Sequence, residues 1–266
     1  MTIATVVCSM MLMTSCNVDN VDTPVEPNDE YTIIYYGHGG GNREAFYLSK
    51  IEDFYNADAD VYNRVNVVVN YKFSTTENLE KQDVFDDETR KAYGSKTIRW
   101  AIDHKKKFEE QAFDPANIYG ADNADHTSPD SLANFIKWAV KKYPAKKYML
   151  IVHDHGGAYI PHMDLPYNNT ANTRALVADD GNPGKLFTVK SLRRALTTAN
   201  LHFETIFMDA CLMNTLEYQF ELHDLCDYVI APTYSKPSVD CVYHLFPQLL
   251  GQPSVDIEKA LDEYCN

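Results

Sequence analysis

Basic residues are scarce in this 266-residue chain: 24 Lys and Arg stand against 38 Asp and Glu, a formal net charge of -14 at pH 7. No cationic surface is available to answer a phosphate backbone, which excludes nucleic acid as a partner. The acidic balance suits cationic peptides, although it is also an ordinary way for an exported protein to stay soluble. Cysteines are few and unevenly divided. Of six, Cys8 and Cys16 fall in the N-terminal segment, leaving Cys211, Cys226, Cys241 and Cys265 for the folded part, so no disulfide framework is drawn. A G-x-S-x-G elbow is missing throughout. The run His38, Gly39, Gly40, Gly41, of the kind that forms an oxyanion hole in many lipases, therefore has no serine to serve and reads as a tight glycine turn. Regular calcium-loop spacing is missing too. Asp179 and Asp180, before Gly181, are the place where calcium is considered, and an exposed turn is the simpler account. His153 and His155 with His162 and Asp164 are weighed as a metal site and set aside, because no further ligand cluster follows. No organic cofactor is implied.

The apolar, uncharged segment Ile3 to Met13 is too short to span a bilayer as a helix but has the length of a secretory h-region. It runs into Met13, Thr14, Ser15 and Cys16, small residues before a cysteine like those of a bacterial lipobox. Residues 1–16 are thus expected to be a lipoprotein signal peptide, with Cys16 lipidated and the protein anchored to a membrane of the cell envelope, on its periplasmic or outer side. Asn17 to Glu30 hold two prolines, five acids and no periodic apolar face; residues 17–30 read as a disordered tether.

From residue 31 to 266 the pattern is that of one α/β domain acting as a monomer. Tyr31 to Tyr36, Val65 to Tyr71, Tyr148 to Val152, Thr205 to Met208 and Tyr228 to Ala231 are β-branched or aromatic runs of strand length. Leu132, Phe135, Ile136, Ala139 and Val140 recur at helical spacing, as do Leu192, Ala195, Leu196 and Ala199 behind Thr188 as N-cap. Continuous apolar strands alternating with amphipathic helices predict a mainly parallel central sheet covered on both faces. Ser74 to Gly94 and Tyr159 to Gly184 read as long loops.

Chemistry concentrates at two strand ends, where an α/β sheet presents its ligands. One is Val152, His153, Asp154, His155, Gly156, Gly157; the other is Met208, Asp209, Ala210, Cys211, Leu212, Met213. Alone, a cysteine after a strand is more often an inert core residue, and a His before two glycines is more often part of a turn. A base and a thiol at the ends of successive strands are together the parts of nucleophilic catalysis. Met213, Leu216 and Phe220 sketch a helix whose N-terminus would favour the Cys211 thiolate.

On His155-Gly156, on Asp209-Ala210-Cys211 with Met213, and on the acidic turn Asp179-Asp180-Gly181 followed by Leu186, Thr188 and Leu192, the chain resembles the clostripain-like cysteine peptidases, relatives of the caspase, legumain and gingipain group. Its Gly37 to Asn42 stretch stands where those relatives carry a polar turn with Asp and Asn. The resemblance implies a caspase-like three-layer sandwich and a peptidase that cuts polypeptides after Arg or Lys. It makes Cys211 the nucleophile, His155 the general acid and base, and the N–H groups of Gly156 and Cys211 the oxyanion hole. It gives Asp209 to an acidic S1 pocket, a role that competes with simple pairing to loop amides. Arg174 and Lys185 become candidate processing sites, and Cys241 to Phe246 the candidate sixth core strand. The non-enzymatic alternative is a surface lipoprotein of the same fold that binds peptide or glycan.

Overall fold

A computed structural model describes residues 29–157, 176–235 and 242–265. Seven strands form one sheet: β1 Asp29–His38, β2 Val65–Lys72, β3 Thr97–Ala101, β4 Ile118–Tyr119, β5 Ala145–His153, β6 Phe203–Asp209 and β7 Cys226–Ile230. Their order across the sheet is β4-β3-β2-β1-β5-β6-β7. The pairs from β2 through β7 are parallel, whereas β3 runs antiparallel to both β2 and β4. All five predicted strands are present, and β1 begins two residues earlier than expected, taking in Asp29 and Glu30. β3 and β4 extend the sheet at the edge where the sequence carries little signal.

Alternation along the central strands builds two separate cores. In β1, Ile34 and Tyr36 face one side with Leu150 and Val152 of β5 and Ile206 and Met208 of β6. Tyr31, Ile33 and Tyr35 face the other, with Met149, Ile151 and Phe207. The first side is covered by α5 Pro129–Lys142, α6 Val189–Ala199 and α7 Leu216–Leu222, the second by α1 Glu44–Asp53, α4 Phe108–Ala112, α8 Leu245–Leu250 and α9 Ile257–Cys265. The result is a three-layer α/β sandwich of caspase-like form. Both predicted helices fall in α5 and α6, and Thr188 caps α6 by accepting from the Ser191 N–H.

Three local expectations are corrected. Ser74 to Gly94 is not a plain loop: it holds α2 Thr76–Lys81 and α3 Asp87–Tyr93, started by the side chains of Thr75 and Asp86. Each buries a single residue, Leu79 or Tyr93, so no periodic face was there to read. The described part of Cys241 to Phe246 is no strand, because α8 starts at Leu245 and Pro247 has no N–H for a ladder. In α7, Tyr218 and Leu222 point inward while Leu216 and Phe220 are 81% and 69% exposed. That helix opens at Leu216, five residues after Cys211.

The chain crosses from β1 to β2 on one side and proceeds from β5 through β6 to β7 on the other. The switch in direction therefore lies between β1 and β5, and in such sheets the crevice above the carboxyl ends is the ligand position. Because β5 is packed on both faces, Leu150→Ala should cost about 2–5 kcal/mol of stability, read as a lowered urea midpoint with an unchanged slope.

Candidate active site

β5 and β6 pair in register up to His153 opposite Asp209. His155 and Cys211 each lie two residues beyond that rung, so two adjacent parallel strands release them side by side. Their main chains then touch. A Cβ placed on Gly156 would lie 2.0 Å from the Cys211 carbonyl oxygen and 2.2 Å from its nitrogen, which no side chain permits. After Cys211 the chain turns through Leu212 at φ 61°. The turn is pinned to the exit of β7, where the N–H groups of Leu212 and Asn214 donate to the carbonyls of Tyr234 and Pro232 at 3.2 and 3.0 Å. Cys211 is a half-buried thiol outside any disulfide. Cys226 is a contrasting case: burial, then Asp227 and Asp224, push its thiol up to about 12.

The imidazole of His155 is half-buried beside Tyr47 of α1, ring centroids 6.1 Å apart, with Nε2 2.7 Å from Oδ1 of Asn42. Its backbone N–H donates to the Asp154 carboxylate at 2.5 Å. His153 is buried, and its Nδ1 lies 2.7 Å from the Tyr35 hydroxyl and 3.1 Å from that of Tyr243. Asp209 is buried on the same face and accepts from the Tyr243 hydroxyl at 2.5 Å, with His153 Nε2 at 4.0 Å. The carboxylate assigned to S1 thus accepts from a tyrosine hydroxyl.

Beside these groups lies a buried ionic cluster. Lys72, at the end of β2 and fully buried, donates to both oxygens of Asp179 at 2.7 and 2.6 Å. His38, at the end of β1, lies 3.3 Å from Asp154 through Nδ1 and 3.0 Å from Asp180 through Nε2. Asp180 also accepts from Thr75 N–H, Thr75 Oγ1 and Asn78 Nδ2 at 2.9, 3.1 and 2.6 Å. Asp154 Oδ2 accepts from the Ala178 N–H at 3.2 Å. The acidic turn is consequently a clamp between the ends of β1, β2 and β5, and the expectation of an exposed turn is overturned. His38, Asp179 and Asp180 hold the geometry of a three-ligand cation site, and Asp179 there accepts from Lys72.

Burial disfavours the His38 imidazolium, yet the hydrogen bonds to Asp154 and Asp180 and the attraction of Asp154 and Asp179 together push its pKa up to about 10. Burial raises Asp180, and the His38 contacts with the Asn78 and Thr75 donors reverse this and hold its carboxyl far below the usual range.

The sequence profile of the clostripain family matches residues 34–265. The chain belongs to that family. Clostripain from Hathewaya histolytica is 28% identical over 202 residues, covering 73% of this chain and 36% of that protein. Among solved structures, a secreted C11 cysteine protease from Bacteroides thetaiotaomicron, "iotapain", superposes with a TM-score of 0.61 at 18% identity over 90% of this chain and 62% of its own. An inactive zymogen C11 protease from Parabacteroides distasonis gives 0.56 at 15%, over 91% and 59%. The chain therefore spans about a third of the curated relative and three fifths of the solved ones, and shares the fold of the latter.

Of the residues singled out in the sequence of this clostripain-family chain, His155, Gly156, Cys211 and Asp209 meet at the ends of β5 and β6. Lys185 is on the surface, paired with Asp125 at 2.9 Å, while Arg174, His162, Asp164 and Cys16 lie outside the described residues. Asn42, Tyr47, Lys72, Asp154 and Tyr243 were not singled out. The stability role of His38 and Asp180 is testable by pH. A histidine with a raised folded pKa contributes fully below its unfolded value near 6.5 and loses that contribution as pH rises toward about 10. Asp180, depressed from 3.8, contributes above that value and loses it in acid. Thermal melts should therefore peak between about pH 4 and 6.5 and decline toward pH 10. His38→Gln should remove the alkaline decline and cost about 3–5 kcal/mol, because Asp154 and Asp180 lose a buried partner.

Proposed function

We propose that the chain is a cysteine endopeptidase in which Cys211 is the nucleophile and His155 the general acid and base. The observation that carries this reading is the rung shared by His153 and Asp209, beyond which the two strand tails leave the sheet in contact. Membership of the clostripain family supports it. In the proposed cycle His155 accepts the Cys211 Sγ proton and the thiolate adds to the scissile carbonyl carbon. The N–H groups of Gly156 and Cys211, whose peptides lie against one another, receive the resulting oxyanion. Collapse of the tetrahedral adduct breaks the C–N bond, and His155 returns the proton to the departing amine. Water, deprotonated by His155, then attacks the thioester carbon, and the regenerated thiol takes the proton back.

For specificity we propose Arg or Lys on the acyl side, with Asp209 as the acid that meets the basic head. Its support is position, two residues before the nucleophile on the face that also carries His153 and Tyr47, and burial, which makes a carboxylate strongly selective for a matching cation. The substrate head takes over the place of the Tyr243 hydroxyl proton. Substrates are polypeptides met outside the cytoplasm, a reading supported by the apolar Ile3 to Met13 segment and by Cys16 as anchor.

The test combines labelling with a substrate panel. A peptidyl-arginine chloromethyl ketone is expected to modify Cys211 stoichiometrically, and His155→Ala or Cys211→Ala to abolish both labelling and hydrolysis. Asp209→Asn is expected to lower kcat/KM for Arg and Lys peptides by about 10- to 100-fold, the worth of a charge-assisted hydrogen bond. Labelling that survives in His155→Ala overturns the dyad. Equal turnover of Arg, Asp and Asn peptides by the wild type overturns the specificity.

A further inference from the structure

The glycine run after β1 takes no part in the cycle above, and its geometry gives it one. We infer that Asn42 is the third member of the site, a positioning residue that accepts the Nε2 proton of His155 and turns Nδ1 toward the thiol. The inference rests on the reading of His155 as the base and extends it.

β1 ends at His38, and one further rung, Gly39 N–H to the Lys72 carbonyl at 3.0 Å, keeps the chain beside β2. Gly40 and Gly41 then adopt φ of +64° and +72°, the left-handed region that glycine enters without strain. The Arg43 N–H closes the turn on the Gly39 carbonyl at 3.1 Å. This reversal carries Asn42 back over the end of β5. The packing leaves no room for a side chain on the way: a Cβ at Gly40 would lie 2.9 Å from His155 Cδ2, 3.0 Å from its Nε2 and 3.0 Å from Tyr47 Cε2. Gly41 is backed by Asp180 and Asn78, each 3.2 Å from a Cβ placed there. The turn is thus wedged between the ionic clamp and the imidazole, and delivers Asn42 Oδ1 to within 2.7 Å of Nε2.

A neutral imidazole carries one ring proton. An amide oxygen against Nε2 holds that proton there and leaves the Nδ1 lone pair to accept from sulfur. When Nδ1 becomes protonated, the same oxygen remains a hydrogen-bond acceptor for the cation. The contact also fixes the rotation of a half-buried ring, and orientation of the base is a large part of what a third residue contributes.

Three variants decide the matter in the full chain. Asn42→Ala is expected to lower kcat by about 100-fold, toward the lower end of what general acid–base catalysis supplies, with KM within about twofold since no contact to substrate is assigned to it. Asn42→Asp presents only acceptors. It is expected to restore most of the rate and to move the acidic limb of the kcat/KM profile to higher pH, because a carboxylate favours the imidazolium. The other titratable and charged groups around the ring, Tyr47 from α1, Arg43 beside Asn42, Asp154 on its own strand end and Cys211 on the next strand, are common to all variants. Asn42 is exposed, so an unchanged urea midpoint is expected. Asn42→Ala with wild-type kcat and pH profile overturns the inference, as does an Asn42→Asp variant no better than Asn42→Ala. Loss of activity in His155→Ala alongside a normal Asn42→Ala would sink this inference alone, whereas an active His155→Ala would sink the dyad with it.

Discussion

Parallel pairing of β1, β5 and β6 is the constraint on which the rest depends. Parallel strands present the same end to the same side, so three tails emerge together from one edge of the sheet. A register slip of one residue between β5 and β6 would send alternate side chains into the opposite core. The two aromatic and aliphatic cores thereby fix the site as well as the fold. Leu150 and Met208 keep one face in step, Ile151 and Phe207 the other, and the last shared rung sets how far His155 and Cys211 lie from one another.

The ionic clamp completes what the strands begin. Burying Lys72, His38 and three carboxylates is costly unless each finds a partner. Here each does: Asp179 through Lys72 and the His126 N–H, Asp180 through His38, Thr75 and Asn78, Asp154 through His38 and the N–H groups of His155 and Ala178. The same carboxylate that answers His38 also holds the backbone of His155. Charges that contribute little to net stability as isolated pairs thus act as fixed points, joining the ends of β1, β2 and β5 to the turn at 178–182. The aromatic set around His153 does comparable work on the other face, where Tyr35, Tyr47 and Tyr243 surround it.

Much of this was legible beforehand. Runs such as Tyr31 to Tyr36 and Val65 to Tyr71 announce strands buried on both faces, and Thr188 announces α6. β3 was not legible, since Thr97–Ala101 is short and carries Arg99 in its middle, nor was the two-residue β4. α2 and α3 rest on their caps, with too little burial to show periodicity. At the site, His155-Gly156 and Asp209-Ala210-Cys211 carry a local pattern that the sequence shows, and residues defined by distant partners carry none. Asn42 meets His155 across 113 positions of chain, and nothing near Asn42 foretells the contact. Lys72 looks like the polar end of an apolar strand until Asp179, 107 positions away, is seen against it. The glycine run was visible without its purpose, because its crowding against His155 exists only after folding.

The dispersal of these tails along the chain sets when the cleft can exist. Segments near positions 40, 155 and 211 must all be synthesised, docked and zipped into neighbouring strands before the ends of β1, β5 and β6 come side by side. Distant closures of this kind are completed slowly. A nascent or half-folded chain accordingly carries every residue of the cleft without the cleft itself.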